Sequence, residues 1–197
     1  MAATVSGGSL GRWFEQLCRI RQPTLRLIVT DSKEALRPNN LPYSGGVYAF
    51  WWTGNQNLLG QRNRDLVLHG PGGRDVHLMI DDDWLGLTTE LPIPLYVGKT
   101  ADSIASRVGK HLRLKDARML PCGGDAKKAE RPTTSCQLRG GVEHLFPDVE
   151  DTRTLILDNI GLSYVELDGD AHAANRFYLE DLAIGLMHPP LNVDIER

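Results

Sequence analysis

Two short tyrosine-bearing segments, Gly45-Gly46-Val47-Tyr48-Ala49-Phe50 and Pro94-Leu95-Tyr96-Val97-Gly98-Lys99, constrain this chain more than any other feature. Each sets a tyrosine inside a strand-like segment with glycines beside it, where a missing side chain lets another group approach closely. The first run continues to Trp52 and is closed by Thr53-Gly54-Asn55, so Val47 to Trp52 reads as a central strand. Leu95 to Val97 is the next core strand.

The remaining elements follow from periodicity and punctuation. Leu10, Trp13, Phe14 and Leu17 stand at helical spacing and predict an amphipathic helix in an N-terminal arm, residues 1–44. Leu25 to Val29 is too short to classify, and Pro38, Pro42 and Gly45-Gly46 mark a loop. Residues 53–93 carry turn signals at Gly54, Gly60 and Gly70-Pro71-Gly72-Gly73 and a strand from Asp75 to Ile80, as an insertion with its own hairpin would. Asp102 or Ser103 caps a helix striped by Ile104, Val108 and Leu112. A second insertion, 115–160, holds a polar, basic loop from Cys122 to Pro132 and a helix from Ser135 to Phe146 bearing Leu138, Val142 and Leu145. Leu162 to Leu167 alternates as a strand, and Ala173 to Met187 is an apolar helix stopped by His188-Pro189-Pro190. This order predicts a small sheet with helices packed on it, an α/β or α+β fold in one domain.

Composition narrows the class. With 197 residues and 41% hydrophobic content, one sizeable core is within reach. No stretch approaches the roughly 18 apolar residues of a membrane span, and the first thirty residues hold Arg12, Arg19, Arg21 and Arg26 but no signal-type run. A soluble, cytoplasmic protein is expected. Cys18, Cys122 and Cys136 are odd in number and lack CxxC spacing, against a disulfide framework or a thioredoxin-like site. Zinc held by Cys122, Cys136 and His144 is a weaker alternative to idle thiols. The net charge of −3 hides an asymmetry. From Ala105 to Arg139 nine Lys/Arg face three acids, a balance of +6, whereas Gly140 to Arg197 carries twelve acids against three bases, or −9. A basic strip beside an acidic region suits a phosphate-bearing ligand, or simply a solvated helix and loop.

Several residues have the chemistry to act on phosphate. Arg107 and His111, four apart, share one face of the predicted helix, and an Arg fork there can grip a phosphate oxygen. On a helical wheel Glu180 falls between Ile184 and Met187, on the apolar side of its helix. A carboxylate so placed needs a partner: either Mg²⁺ or Mn²⁺ completed by water and phosphate, or a salt bridge to Arg107 or Arg176. Tyr48 or Tyr96 becomes a base near neutral pH only beside a cation, and Lys99 lies three residues from Tyr96. Asp81-Asp82-Asp83 reads as a solvated turn, and Asp168-Gly169-Asp170 lacks the remaining ligands of a calcium loop. No lysine follows Gly70 to Gly73, which excludes a nucleotide P-loop.

The ordered set of Gly46-Val47-Tyr48, Tyr96-Val97-Gly98, Arg107 with His111, and Glu180 with Asn192 after Pro189-Pro190-Leu191 resembles the GIY-YIG nuclease superfamily. The likeness covers residues 45–52, 94–114 and 161–192 and leaves the arm and both insertions unmatched. Valine replaces isoleucine in both signatures, and the spacer between the tyrosines is longer than in compact members. The resemblance implies a three-stranded antiparallel sheet flanked by helices and one divalent metal, Mg²⁺ or Mn²⁺, bound by Glu180. Arg107 would hold the scissile phosphate, Tyr96 or Tyr48 would help deprotonate water, and Lys99 would lower the pKa of that base. His111 would assist the base or the phosphate, and Asn192 would steady the site. Water would attack phosphorus in line, leaving a 5′-phosphate and a 3′-hydroxyl.

The two signature segments are most similar to type II restriction enzymes of this superfamily. That implies a homodimer cutting a palindrome in double-stranded DNA, with a DNA methyltransferase protecting host sites. The Trp13/Phe14 helix is the expected dimer contact. Phosphate contacts are expected from Lys110, Arg113, Lys115, Lys127, Lys128 and Arg131, and base reading from Gln137 or Arg139. A structure-specific repair or mobile-element nuclease, and a non-catalytic nucleic-acid-binding module, are the alternatives.

Overall fold

The computed structural model describes residues 15–20, 25–26, 29–30, 37–38, 41–69, 75–83, 92–112 and 137–192. In chain order the elements are α1 (residues 15–20), β1 (Leu25–Arg26), β2 (Val29–Thr30), β3 (Arg37–Pro38), β4 (Gly46–Trp52), α2 (Gln56–Gly60), β5 (Asp65–His69), β6 (Asp75–Met79) and β7 (Ile93–Thr100). They continue with α3 (Ile104–Leu112), α4 (Gln137–Leu145), α5 (Thr152–Asn159), β8 (Ile160–Glu166), a 3₁₀ turn (Asp170–His172) and α6 (Ala173–Met187).

The aromatic-rich run of β4 is buried along its whole length, because it is the central strand of the main sheet, antiparallel to both β7 and β8. The sheet order is β1-β8-β4-β7. An antiparallel three-stranded core is therefore present, extended at the β8 edge by β1, whose two residues are too few to carry a strand pattern of their own. Pro94 lies in the edge strand β7, opposite Trp51 and beside a register shift between Phe50 and Trp51, where the lack of an N–H is tolerated. β5 and β6 pair as a separate hairpin within residues 53–93.

Period-two alternation sends the β4 side chains into two layers. Tyr48, Phe50 and Trp52, with Tyr96 of β7, pack against Ile104 and Val108 of α3, Leu138, Val142 and Leu145 of α4, and Leu155 and Ile156 of α5. Val47, Ala49 and Trp51, with Val97 and Val165, pack against Ile20 of α1 and Leu179 and Ala183 of α6. Each large side chain so enclosed contributes about 1.5–3 kcal/mol. The second half of the 115–160 stretch thus helps form the main core, and α2 and α5 add helices that periodicity did not predict.

Local chemistry sets the ends of the elements that hold the site. Ser103 caps α3, its hydroxyl accepting from the Ser106 N–H at 3.1 Å. α6 ends at His188, whose φ of 47° is left-handed and whose N–H bonds the Ile184 carbonyl, just before Pro189-Pro190. Among the described residues no helix is long and apolar enough to cross a membrane.

Candidate active site at the edge of the sheet

A tyrosine on the central strand can reach the sheet edge only by lying across its neighbour. Tyr48 stands opposite Gly98 of β7, and a Cβ built on Gly98 would come 2.6 Å from the Tyr48 hydroxyl and 2.9 Å from the Tyr96 ring. The glycine thus provides the groove in which the phenol rests. Past it, the Tyr48 hydroxyl meets His111 Nε2 at 2.7 Å. Tyr96 packs on the same imidazole with ring centroids 4.9 Å apart, and Phe50 closes the other side at 5.7 Å.

This half of the site is dry, and its titration follows from that. Burial, reinforced by the neighbouring Tyr96, pushes the Tyr48 phenol well above its ordinary range, and the Arg107 guanidinium only partly offsets it. Burial, followed by the Arg107 charge, pulls His111 down to about 3. Both groups are neutral near pH 7. Arg107 is half-buried, and its Nε has no hydrogen-bond partner among the described residues.

A charged pair occupies the other side of the β7 edge. Lys99 forms a salt bridge with Glu180 of α6, and its ammonium also sits 4.7 Å from the Phe177 ring centroid. The two side chains are 37% and 14% exposed, so the pair opens toward solvent. Burial raises the Glu180 pKa, with the Lys99 ammonium opposing it. Lys99 therefore answers the charge on Glu180, while the cation acting on Tyr48 is Arg107. Arg176 is not a partner of Glu180 and instead donates to the carbonyls of Leu167 and Gly169 at 2.5 and 2.8 Å. Glu180 nonetheless contributes to the field at Tyr48, which links the two halves.

Asn192 acts on the backbone between them. Its Oδ1 accepts from the Val97 N–H at 2.6 Å and its Nδ2 donates to the Val97 carbonyl at 2.7 Å. The Leu191 N–H adds a bond to the Leu95 carbonyl at 3.0 Å. The segment after the two prolines therefore holds β7 in register at the residue between Tyr96 and Gly98.

The expected nucleic-acid contacts fare differently. Lys110 is exposed on α3. Gln137 opens α4, but its side chain is outside the described set, and Arg113, Lys115, Lys127, Lys128 and Arg131 lie in 113–136, also outside it. Arg139 corrects the sequence reading: it is fully buried and bonded to Glu143 at 2.9 Å, so it is not placed to read a base edge. Trp13 and Phe14, and Cys122 and Cys136 of the zinc alternative, also fall outside the described residues, while His144 Nδ1 lies 2.8 Å from the Gly140 carbonyl. Phe177 was not foreseen as a site residue, although its position three residues before Glu180 on one helix was the available signal.

Among the described residues no three His, Cys, Asp or Glu side chains converge on a metal position. A single, partly buried carboxylate at a solvent edge suits a hard cation that keeps most of its ligands as water and phosphate oxygen. It does not suit zinc. Comparisons with protein-family models, with curated proteins and with solved structures find no match for this chain.

Proposed function

We propose that this protein is a metal-dependent double-strand DNA endonuclease of the GIY-YIG type, working as a restriction enzyme. One observation carries the reading: Tyr48, Tyr96, Lys99, Arg107, His111 and Glu180, scattered over four elements, gather around one edge of one sheet, with Asn192 fastening that edge. Chance motif matches have no reason to converge.

The chemistry assigns complementary tasks. Arg107 has an Nε–H unpaired among the described residues and a net positive charge with which to hold a phosphate oxygen. A Mg²⁺ held by Glu180 would supply Lewis-acid neutralisation of phosphate charge when bound. Water attacks phosphorus as the bond to O3′ breaks, the water proton passes to a base, and the leaving oxygen takes up a proton from solvent. Tyr48 is fully enclosed and holds its proton more tightly than a free phenol, which leaves Tyr96 as the phenol suited to act on water. Exposed Lys110 and the basic stretch that follows supply charge for a polyanion, and two copies on a palindrome account for a double-strand break by one site per chain.

Incubating purified protein with Mg²⁺ and unmethylated plasmid and phage DNA, with Glu180→Gln as control, tests this directly. Discrete fragments with 5′-phosphate ends sharing a palindrome are expected. Undiminished cleavage under full metal chelation would sink the one-metal scheme, and a smear would sink the restriction assignment.

A further inference from the structure

The two ring nitrogens of His111 have different surroundings. Nε2 lies 2.7 Å from the Tyr48 hydroxyl, whereas Nδ1 is buried with no hydrogen-bond partner among the described residues. The side chain has no exposed surface and is walled by Phe50 and Tyr96. An imidazole enclosed among aromatics beside a guanidinium is neutral, so one nitrogen alone carries a proton. Placing that proton on Nδ1 strands an N–H in a dry cage, and interiors leave few polar groups unpaired, N–H groups least of all. Placing it on Nε2 uses the N–H on the phenol oxygen and leaves over only a lone pair. A phenol donating to imidazole is the stronger pair in isolation, but here it demands the stranded N–H.

We infer that His111 is held as its Nε2-protonated tautomer and donates to Tyr48, so that it positions this phenol and does not accept its proton. With the helix side of the phenol oxygen taken, the Tyr48 hydrogen is left to face the sheet edge, where it can donate to a phosphate oxygen. A relay in which His111 draws the proton from Tyr48 is thereby excluded. The catalytic meaning of this tautomer rests on the nuclease reading, whereas the tautomer itself does not.

Long-range proton–nitrogen correlation on the full chain, labelled at histidine nitrogens and assigned with His111→Gln, reads the tautomer directly. The expected pattern is a neutral ring with its proton on Nε2 throughout about pH 5 to 8. A proton on Nδ1, or an averaged signal from both forms, overturns the inference. Cleavage gives a second readout. His111→Gln retains a donor for the phenol, whereas an ionised His111→Glu offers only acceptors, so Gln is expected to keep at least about tenfold more activity than Glu. A Glu variant more active than Gln reverses the direction of the bond and defeats the inference. If wild type cuts no DNA under any condition, the nuclease reading fails while the spectrum still decides the tautomer.

Discussion

The two halves of the sheet edge are built on opposite principles. On the α3 side, Tyr48 and His111 are enclosed and neutral and are joined by one bond. On the α6 side, Lys99 and Glu180 are charged and stand partly in solvent. Enclosed neutral groups are costly to rearrange, because every polar atom moved must find a new partner. A partly exposed ion pair exchanges partners at lower cost, because water can reach the charges as they separate. The dry half therefore fixes geometry, and in the proposed nuclease the wet half is where the cation and the phosphate would enter.

Four measurements break or sharpen that contrast. Glu180→Gln should reduce cleavage by about a thousandfold, ~4 kcal/mol of transition-state stabilisation, without lowering Tm, since it removes a carboxylate whose charge burial disfavours. A large fall in Tm would make the wet half structural. Acidification should reveal the dry half. His111 titrates near 6.5 when unfolded and at about 3 when folded, so the unfolded chain takes up the proton first as pH falls. Its contribution is fully present above pH 6.5 and is lost toward 3. The loss from this group should reach roughly 3 kcal/mol between pH 7 and pH 4, measured by urea unfolding, and be absent in His111→Gln. Gly98→Ala should cost about 1–3 kcal/mol and most of the cleavage activity, because the new methyl meets the Tyr48 hydroxyl and the Tyr96 ring together. Unchanged stability and activity would deny that the phenol crosses β7. Smallest of all, Phe177→Leu should remove about 0.5–1 kcal/mol of support for the Lys99 ammonium, read as a modest change in the Mg²⁺ concentration needed for half-maximal cleavage.

Much of the fold was legible where one physical signal dominates. Val47 to Trp52 is rich in aromatic residues and forms β4 with Gly46 added, and α6 spans the predicted Ala173–Met187 because two prolines follow it. Elements defined by a partner were not legible: β1 is two residues that become a strand only beside β8. α5 has few apolar residues, and its clearest local sign is Asp151, which accepts from the Thr154 N–H and hydroxyl as an N-cap. The residues of the candidate site were nameable from the sequence, but their division into a dry and a wet half was not, because it depends on which face of the sheet each one takes. Arg139 illustrates the same gap. An arginine next to a basic loop reads as surface, and only Glu143, one turn later, hinted that its charge was already answered inside the core.

The amide of Asn192 is chemically a peptide group carried on a side chain, and it offers Val97 the donor and acceptor that a neighbouring strand would offer. A bare edge is an invitation to another molecule's backbone, and such pairing would wall off Tyr96 and Gly98. By filling one rung with its own side chain, the protein ends its sheet at the place where the proposed reaction needs an accessible face, and asparagine achieves this without adding another strand's bulk.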